Sequence, residues 1–200
     1  DATFDAAAGV SGVFVAEARE FIVRPNGKIV VGGNFSAVGR YSARDIIQLN
    51  ADGTIDLTFN PGGFGGNSNT SKAVAALAEQ PDGKIVVGGE FTSFNLTARN
   101  AVARLNVDGS VDPTFTSGIP AGFRVNDIEV LTDGRIVMVG NFSTYAGQPR
   151  GRIVVVNADG SLDTTIFNNS GTGANFEINA VEVDANGKFL VAGNVNFTSY

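Results

Sequence analysis

The apolar run KIVVGGNF, residues 28–35, sits between polar turns and recurs as KIVVGGEF from Lys84, RIVMVGNF from Arg135 and KFLVAGNV from Lys188. Each copy follows a glycine that closes a tight turn: Gly27, Gly83, Gly134 and Gly187, spaced by 56, 51 and 53 residues. A second run precedes each glycine. It is clearest in INAVEVDANG (178–187), where Val181 and Val183 alternate with Glu182. Alternation marks a half-buried strand, and a short continuous apolar run marks a strand covered on both faces. PNG, PDG, TDG and ANG join the two runs as tight turns, because Asn, Asp and Gly accept positive φ at little cost. The glycine pairs Gly32–Gly33 and Gly88–Gly89 inside the apolar run predict a bulge or a close backbone approach.

A polar loop follows each apolar run: SAVGRYSAR (36–44), TSFNLTAR (92–99) and STYAGQPR (143–150). It delivers a third strand that ends at Asn50, Asn106 and Asn157. NADG, NVDG and NADG turns then lead into a short fourth strand, TIDLTF, SVDPTF and SLDTTIF. Pro113 in the second of these places it at a sheet edge. A variable, Gly-rich connection such as NPGGFGGNSNTSK (60–72) or TSGIPAG (116–122) opens the next cycle. KAVAALAEQ (72–80) looks helical only through its alanines, and its counterparts are strand-like.

Four short strands per 51–56 residues predict one antiparallel sheet per repeat, stacked radially or linearly. The period favours the radial arrangement. The expected fold is all-β: a β-propeller of four-stranded antiparallel blades, one array over 1–200. Its units are 1–55, 56–111 and 112–162, with a partial 163–200. Propellers use about four to eight blades. The chain is therefore expected to be an excerpt of a larger propeller, or to be completed by a neighbouring copy.

Composition narrows the function classes. Hydrophobic residues make up 43% of the 200, enough for a core built from Val, Ile and Phe. The net charge of −6 without a basic run argues against nucleic acid and anionic membranes. No apolar run is long enough to span a bilayer as a helix. The absence of Cys removes a disulfide scaffold and thiolate metal sites, and the absence of His removes the commonest general base.

The combined pattern DGKIVVGGxF followed by RLNxDGSxDxTF resembles the delta-60 repeat family of bacterial β-propeller repeats. The clearest matches are PDGKIVVGGEFT (81–92) and ARLNVDGSVDPTF (103–115). PNGKIVVGGNFS (25–36), LNADGTIDLTF (49–59), TDGRIVMVGNFS (132–143) and VNADGSLDTTIF (156–167) follow, the last with one inserted residue. The fourth copy, NGKFLVAGNVNFTSY (186–200), departs from the pattern. The resemblance implies a propeller in an exported, surface or secreted bacterial protein. It attaches no activity.

Candidate chemistry is sparse. The NxDGxxD loops place Asp52 and Asp56, Asp108 and Asp112, and Asp159 and Asp163 beside a glycine turn, a partial match to calcium loops. Asx-stabilised hairpin turns account for the same residues. Asn34, Asn141, Asn196, Asn95, Asn69 and Asn168 are formal glycosylation acceptors. At Asn34 and Asn141 a polar residue closing the second strand explains the pattern without sugar. Phe35, Phe91 and Phe142, with Phe4, Phe59, Phe115 and Phe167, read as packing between blades. Arg44, Arg99 and Arg150 are expected to pair with the recurrent aspartates.

No nucleophile elbow or non-repeated acidic cluster is evident, so the expected function is non-catalytic. The chain reads as a binding, adhesion or structural module that meets a protein or glycan, or a second copy of itself, and needs no cofactor. Its recognition surface would be the variable loops 36–44, 60–72, 92–99, 116–122, 143–150 and 168–176. The alternatives are a carbohydrate-active propeller enzyme and a calcium-stabilised binding module.

Overall fold

The computed structural model describes residues 10–11, 17–39, 41–62, 64–65, 73–166 and 174–194. Its regular structure is antiparallel β throughout, with no helix among the described residues. The three main sheets, one per unit, have three strands each: Glu17–Val23, Ile29–Asn34 and Ile46–Leu49; Ala76–Glu79, Ile85–Gly88 and Val102–Leu105; Val125–Val130, Ile136–Gly140 and Ile153–Val156. A fourth sheet pairs Ile178–Val183 with Phe189–Gly193. In each complete sheet the apolar run is the middle strand. The first strands of consecutive units pack against one another, so they form the inner edge of the array.

The middle strands are apolar throughout because alternate residues serve different neighbours. Val30 and Ile46 of the first unit pack on Val74, Leu77, Ile85 and Val87 of the second. On the other face of the second sheet, Val86 and Val102 meet Ile128, Ile136, Met138 and Val154. Val137, Val139 and Val155 of the third unit cover Ile178 and Val181. Each such side chain contributes about 1.5–3 kcal/mol on full burial.

The glycines permit this stacking. A Cβ on Gly88 would stand 2.7 Å from Val125 Cγ1, and one on Gly32 would stand 2.4 Å from Val74 Cγ1. The glycine that follows lends its carbonyl to the next unit: Val74 N–H donates to Gly33 O at 3.0 Å and Val125 N–H to Gly89 O at 3.1 Å.

The fourth strand differs from expectation. It is a single bridge, Leu49 with Ile55, Leu105 with Val111 and Val156 with Leu162. The reason is the residue after the bridge. Asp56 Oδ1 accepts from Thr58 N–H at 2.9 Å and from its hydroxyl at 2.6 Å, which coils the chain out of the ladder. Asp112 with Thr114 and Asp163 with Thr165 repeat this.

The chain then crosses to the next unit along its outer side. Asn60 N–H donates to Asp108 O at 2.9 Å, and Phe59 lies against Gly109 in that unit's turn. Phe115 meets Gly160 in the same way. Phe35, Phe91, Phe142, Phe59 and Phe115 are all buried, as packing residues should be, while Phe4 and Phe167 lie outside the described residues.

Candidate binding surface

Strand direction sorts the loops into two ends. The start of each first strand, the end of each second and the start of each third lie at one end, which carries the variable connections and polar loops. The PNG-type and NADG-type turns lie at the other.

The polar loops are themselves ordered. Ala37–Val38 pairs with Tyr41–Ser42, Ser93–Phe94 with Thr97–Ala98, and Thr144–Tyr145 with Gln148–Pro149, each as a two-residue hairpin. Val38, Phe94 and Tyr145 anchor these hairpins in the protein, and Tyr145 donates its hydroxyl to Gly160 O at 2.5 Å. The variable connections run against them: Val10–Ser11 pairs with Ala37–Val38, Phe64–Gly65 with Ser93–Phe94, and Gly118 O accepts Ala146 N–H at 2.8 Å.

The turns of these hairpins need positive φ, found at Gly39 (57°), Asn95 (43°), Leu96 (63°), Ala146 (47°) and Gly147 (77°). Leu96 is 100% exposed at its tip. A non-glycine residue in this region costs about 1–2 kcal/mol. Leu96 therefore holds a strained backbone conformation at a fully exposed tip.

The turn end holds the aspartates singled out in the sequence. Asp52, Asp108 and Asp159 accept the backbone N–H of Thr54, Ser110 and Ser161 at 3.0, 2.9 and 2.9 Å, closing Asx turns. Asp56, Asp112 and Asp163 take a cation from the start of the middle strand: Lys28 at 2.7 Å, Lys84 at 2.8 Å and Arg135 at 2.7 Å. Burial pushes the Asp56 carboxyl up, but hydrogen bonds from Lys28, Thr58 and Gln48 outweigh it and hold the group well below the usual carboxylate range. Asp112 is held down likewise by Lys84 and Thr114 against its burial, and Asp163 by Thr165 and Arg135.

The cations expected at these aspartates were Arg44, Arg99 and Arg150. Arg99 and Arg150 donate instead to the carbonyls of Ala98 and Pro149, at the loop end. Arg44 falls one position later in its loop, since Ala43, Arg99 and Arg150 make the same backbone bond, to Ser36, Thr92 and Ser143. Asn141 closes its strand by accepting Arg124 N–H at 2.7 Å, while Asn69, Asn168 and Asn196 lie outside the described residues.

Two polar groups escaped the sequence. Arg24, 5% exposed, bridges the first two units, donating to Gln48 Oε1 and Glu79 Oε1 at 2.8 Å and to Gly83 O at 2.7 Å. In the next unit the pair is reversed: Arg104 stands at the place of Gln48 and donates to Gln80, at the place of Arg24, and to Ala158 O of the third unit. The third unit has Leu131 and Val155 there.

The other group is acidic. Asp127, Glu129 and Glu182 lie on the inner strands of the third and fourth units. Burial raises Asp127 and Glu129, and Glu182 raises both further. Asp127 accepts Ile128 N–H and Val181 N–H, both at 2.8 Å, which ties the two units together. The detectable signal was a break in the repeat, since the second unit carries Ala76 and Ala78 where the third carries Asp127 and Glu129. Among the described residues no set of three or more His, Cys, Asp or Glu is arranged to hold a metal ion. None of those residues forms a helix long and apolar enough to cross a membrane.

Antiparallel sheets that recur, converge on their first strands and pack face to face are the blades of a β-propeller. The chain belongs to the DUF5122 β-propeller family, a domain of unknown function, whose profile matches at residues 24–59, 80–115 and 131–165, together more than half of the chain. Each match runs from the turn before the middle strand to the end of the DxT segment or just beyond it. No curated protein matches the chain.

Proposed function

We propose that this chain is a non-catalytic binding or adhesion module of the delta-60 repeat kind, carried by an exported bacterial protein. Its loop end meets a protein or glycan, and the stacked sheets hold that end rigid. The observation that carries the reading is the segregation of the loops. Segments that differ between units share one end, while near-identical turns share the other. Recognition needs the first property and a scaffold needs the second.

The six aspartates are structural in this reading. A calcium ion at Asp56, Asp112 or Asp163 would face an ammonium or guanidinium group within 2.8 Å of the same carboxylate. Addition of EDTA is therefore expected to leave the melting temperature unchanged, because nothing bound to the native state is withdrawn. A fall would restore the calcium-stabilised alternative.

Leu96→Gly tests the surface. Glycine relieves the positive φ, so stability should rise by about 1 kcal/mol. Binding on a glycan or protein array should weaken at the same time. Binding that ignores Leu96→Gly and exchange of the three hairpin tips for Asn-Gly would overturn the loop-end reading.

The second reading, a polysaccharide-cleaving enzyme, draws on Glu129 and Glu182, whose mutual repulsion raises Glu129 beyond the effect of burial. Release of reducing ends from a polysaccharide, abolished by Glu129→Gln, would establish it.

A further inference from the structure

Cations at the two ends of the sheets have different partners. At the turn end, Arg24, Lys28, Lys84, Arg104 and Arg135 each hold a carboxylate within 2.9 Å. At the loop end, the guanidinium groups of Arg99, Arg150 and Arg152 meet only carbonyls among the described residues. Each donates through Nη1: to Ala98 O at 2.8 Å, to Pro149 O at 2.6 Å and to Asn141 O at 2.7 Å. The opposite edge of all three, the parallel donors Nε and Nη2, has no acceptor. Among the described residues, the buried side-chain polar atoms without a partner both lie on this edge, Arg99 Nε and Arg152 Nε. Arg150 is itself buried. Unsatisfied buried donors are rare, and a buried charge without a counter-charge is costly. An anion arriving from solvent relieves both.

We propose that these three guanidinium forks take the carboxylates of an acidic polysaccharide, an assignment that deepens the loop-end reading and rests on it. The Nε–Nη2 edge matches the two oxygens of a carboxylate, whereas a lysine offers only a point charge. The described lysines, Lys28, Lys84 and Lys188, all lie at the turn end. Arg99 and Arg150 hold the same place in adjacent units, so the anion site repeats from one blade to the next. A polymer with a charge recurring along its length meets both. The exposed side chains beside them, Thr97 and Gln148, offer a hydroxyl and an amide to sugar hydroxyl groups. The apolar anchors that a protein partner needs are scarce, since Leu96 is the one exposed large apolar side chain on the second and third hairpins.

The net charge of −6 does not oppose this. Asp52, Asp82, Asp108, Asp133 and Asp159 lie in the turns at the other end. A strand such as Val125–Val130, 6 residues long, sets the two ends roughly 20 Å apart. That is about twice the distance over which physiological salt screens a charge.

Binding to immobilised polygalacturonate, with dextran and poly-glutamate alongside, tests the proposal. The chain is expected to bind polygalacturonate, more weakly as salt is added, and not dextran. Arg99→Gln and Arg152→Gln, in different units, should each weaken binding at least about tenfold, with melting curves showing that the variants fold. Arg99→Lys keeps the charge but loses the fork, and should recover only part of the loss. Lys188→Gln removes an exposed charge at the turn end and should change nothing. Absence of binding overturns the proposal, and so does an equal effect of Lys188→Gln and Arg99→Gln, which would reflect overall charge alone. Equal affinity for poly-glutamate overturns the assignment to a glycan. Binding of a neutral glycan or a protein that needs Leu96 but not Arg99 overturns the proposal and leaves the loop-end reading standing.

Discussion

At the scale of single residues, the buried polar groups show that one position tolerates opposite solutions. Arg24 with Gln48, Gln80 with Arg104, and Leu131 with Val155 occupy the same pair of sites in successive units. An isolated buried charge is costly, but an apolar set of similar volume replaces a satisfied one at little loss. Arg24→Ala alone, which strands Glu79 and Gln48, should cost about 3 kcal/mol. The triple change Arg24→Leu, Gln48→Val, Glu79→Val copies Leu131, Val155 and Val183 and should stay within about 1 kcal/mol of the parent in urea unfolding.

Asp45 makes a second prediction at this scale. It has φ 64° and accepts Phe35 N–H at 3.1 Å. Burial raises its carboxyl from 3.8 to about 6, opposed by that bond and by Arg44. A raised value means that the fold favours the protonated form. The contribution is full below the unfolded value and lost as pH rises through about 6. Asparagine keeps the acceptor and tolerates the backbone. Melting of Asp45→Asn should therefore match the parent below about pH 4, exceed it increasingly from there to about pH 6, and keep a constant lead above that. The depressed Asp56, Asp112 and Asp163 act in the opposite sense, with stability lost as pH falls below the ordinary carboxylate value.

Among the elements, the middle strand is the most constrained. Gly88→Ala should cost about 1–3 kcal/mol through overpacking. Combined with Val125→Ala, the loss should be smaller than the sum of the two single changes, because the added methyl occupies the space that Val125 Cγ1 leaves. Additive losses would show that the glycine serves something other than this approach. The strand, its turns and its glycine pair were legible because each rests on local chemistry. The fourth strand was misjudged because a side-chain acceptor, Asp56, competes with the ladder for the backbone. The hairpin tips were missed because two of them reach positive φ through Leu96 and Ala146, which are not turn formers. The lysine–aspartate pairs join residues 28 positions apart, and the Arg24–Glu79 contact joins residues in different repeats. Nothing in local pattern signals either. The loop end was foreseeable from strand direction, but which loop residues protrude was not.

Across the whole molecule, stability resides between units, since the apolar clusters lie mainly at the junctions. Ile128→Ala, at the junction of the second and third units, should cost about 2–5 kcal/mol. Phe21→Ser, at the corresponding place in the first unit, where Phe21 is 62% exposed, should change stability by less than about 0.5 kcal/mol. Equal losses would mean that the two positions do not differ in burial. The crossing segment, in which Phe59 and Asn60 seat themselves on the Gly109 turn of the sheet that follows them in the same repeat, carries a consequence for how such arrays grow. A stretch copied from Asp56 to Val111 includes a whole sheet together with the strap that reached it. Its own onward strap begins with the next copy. Duplication therefore inserts a unit whose attachment on both sides is already encoded, and loss of a unit lets the neighbours rejoin through the same strap. An array built this way can change length without redesign of any contact.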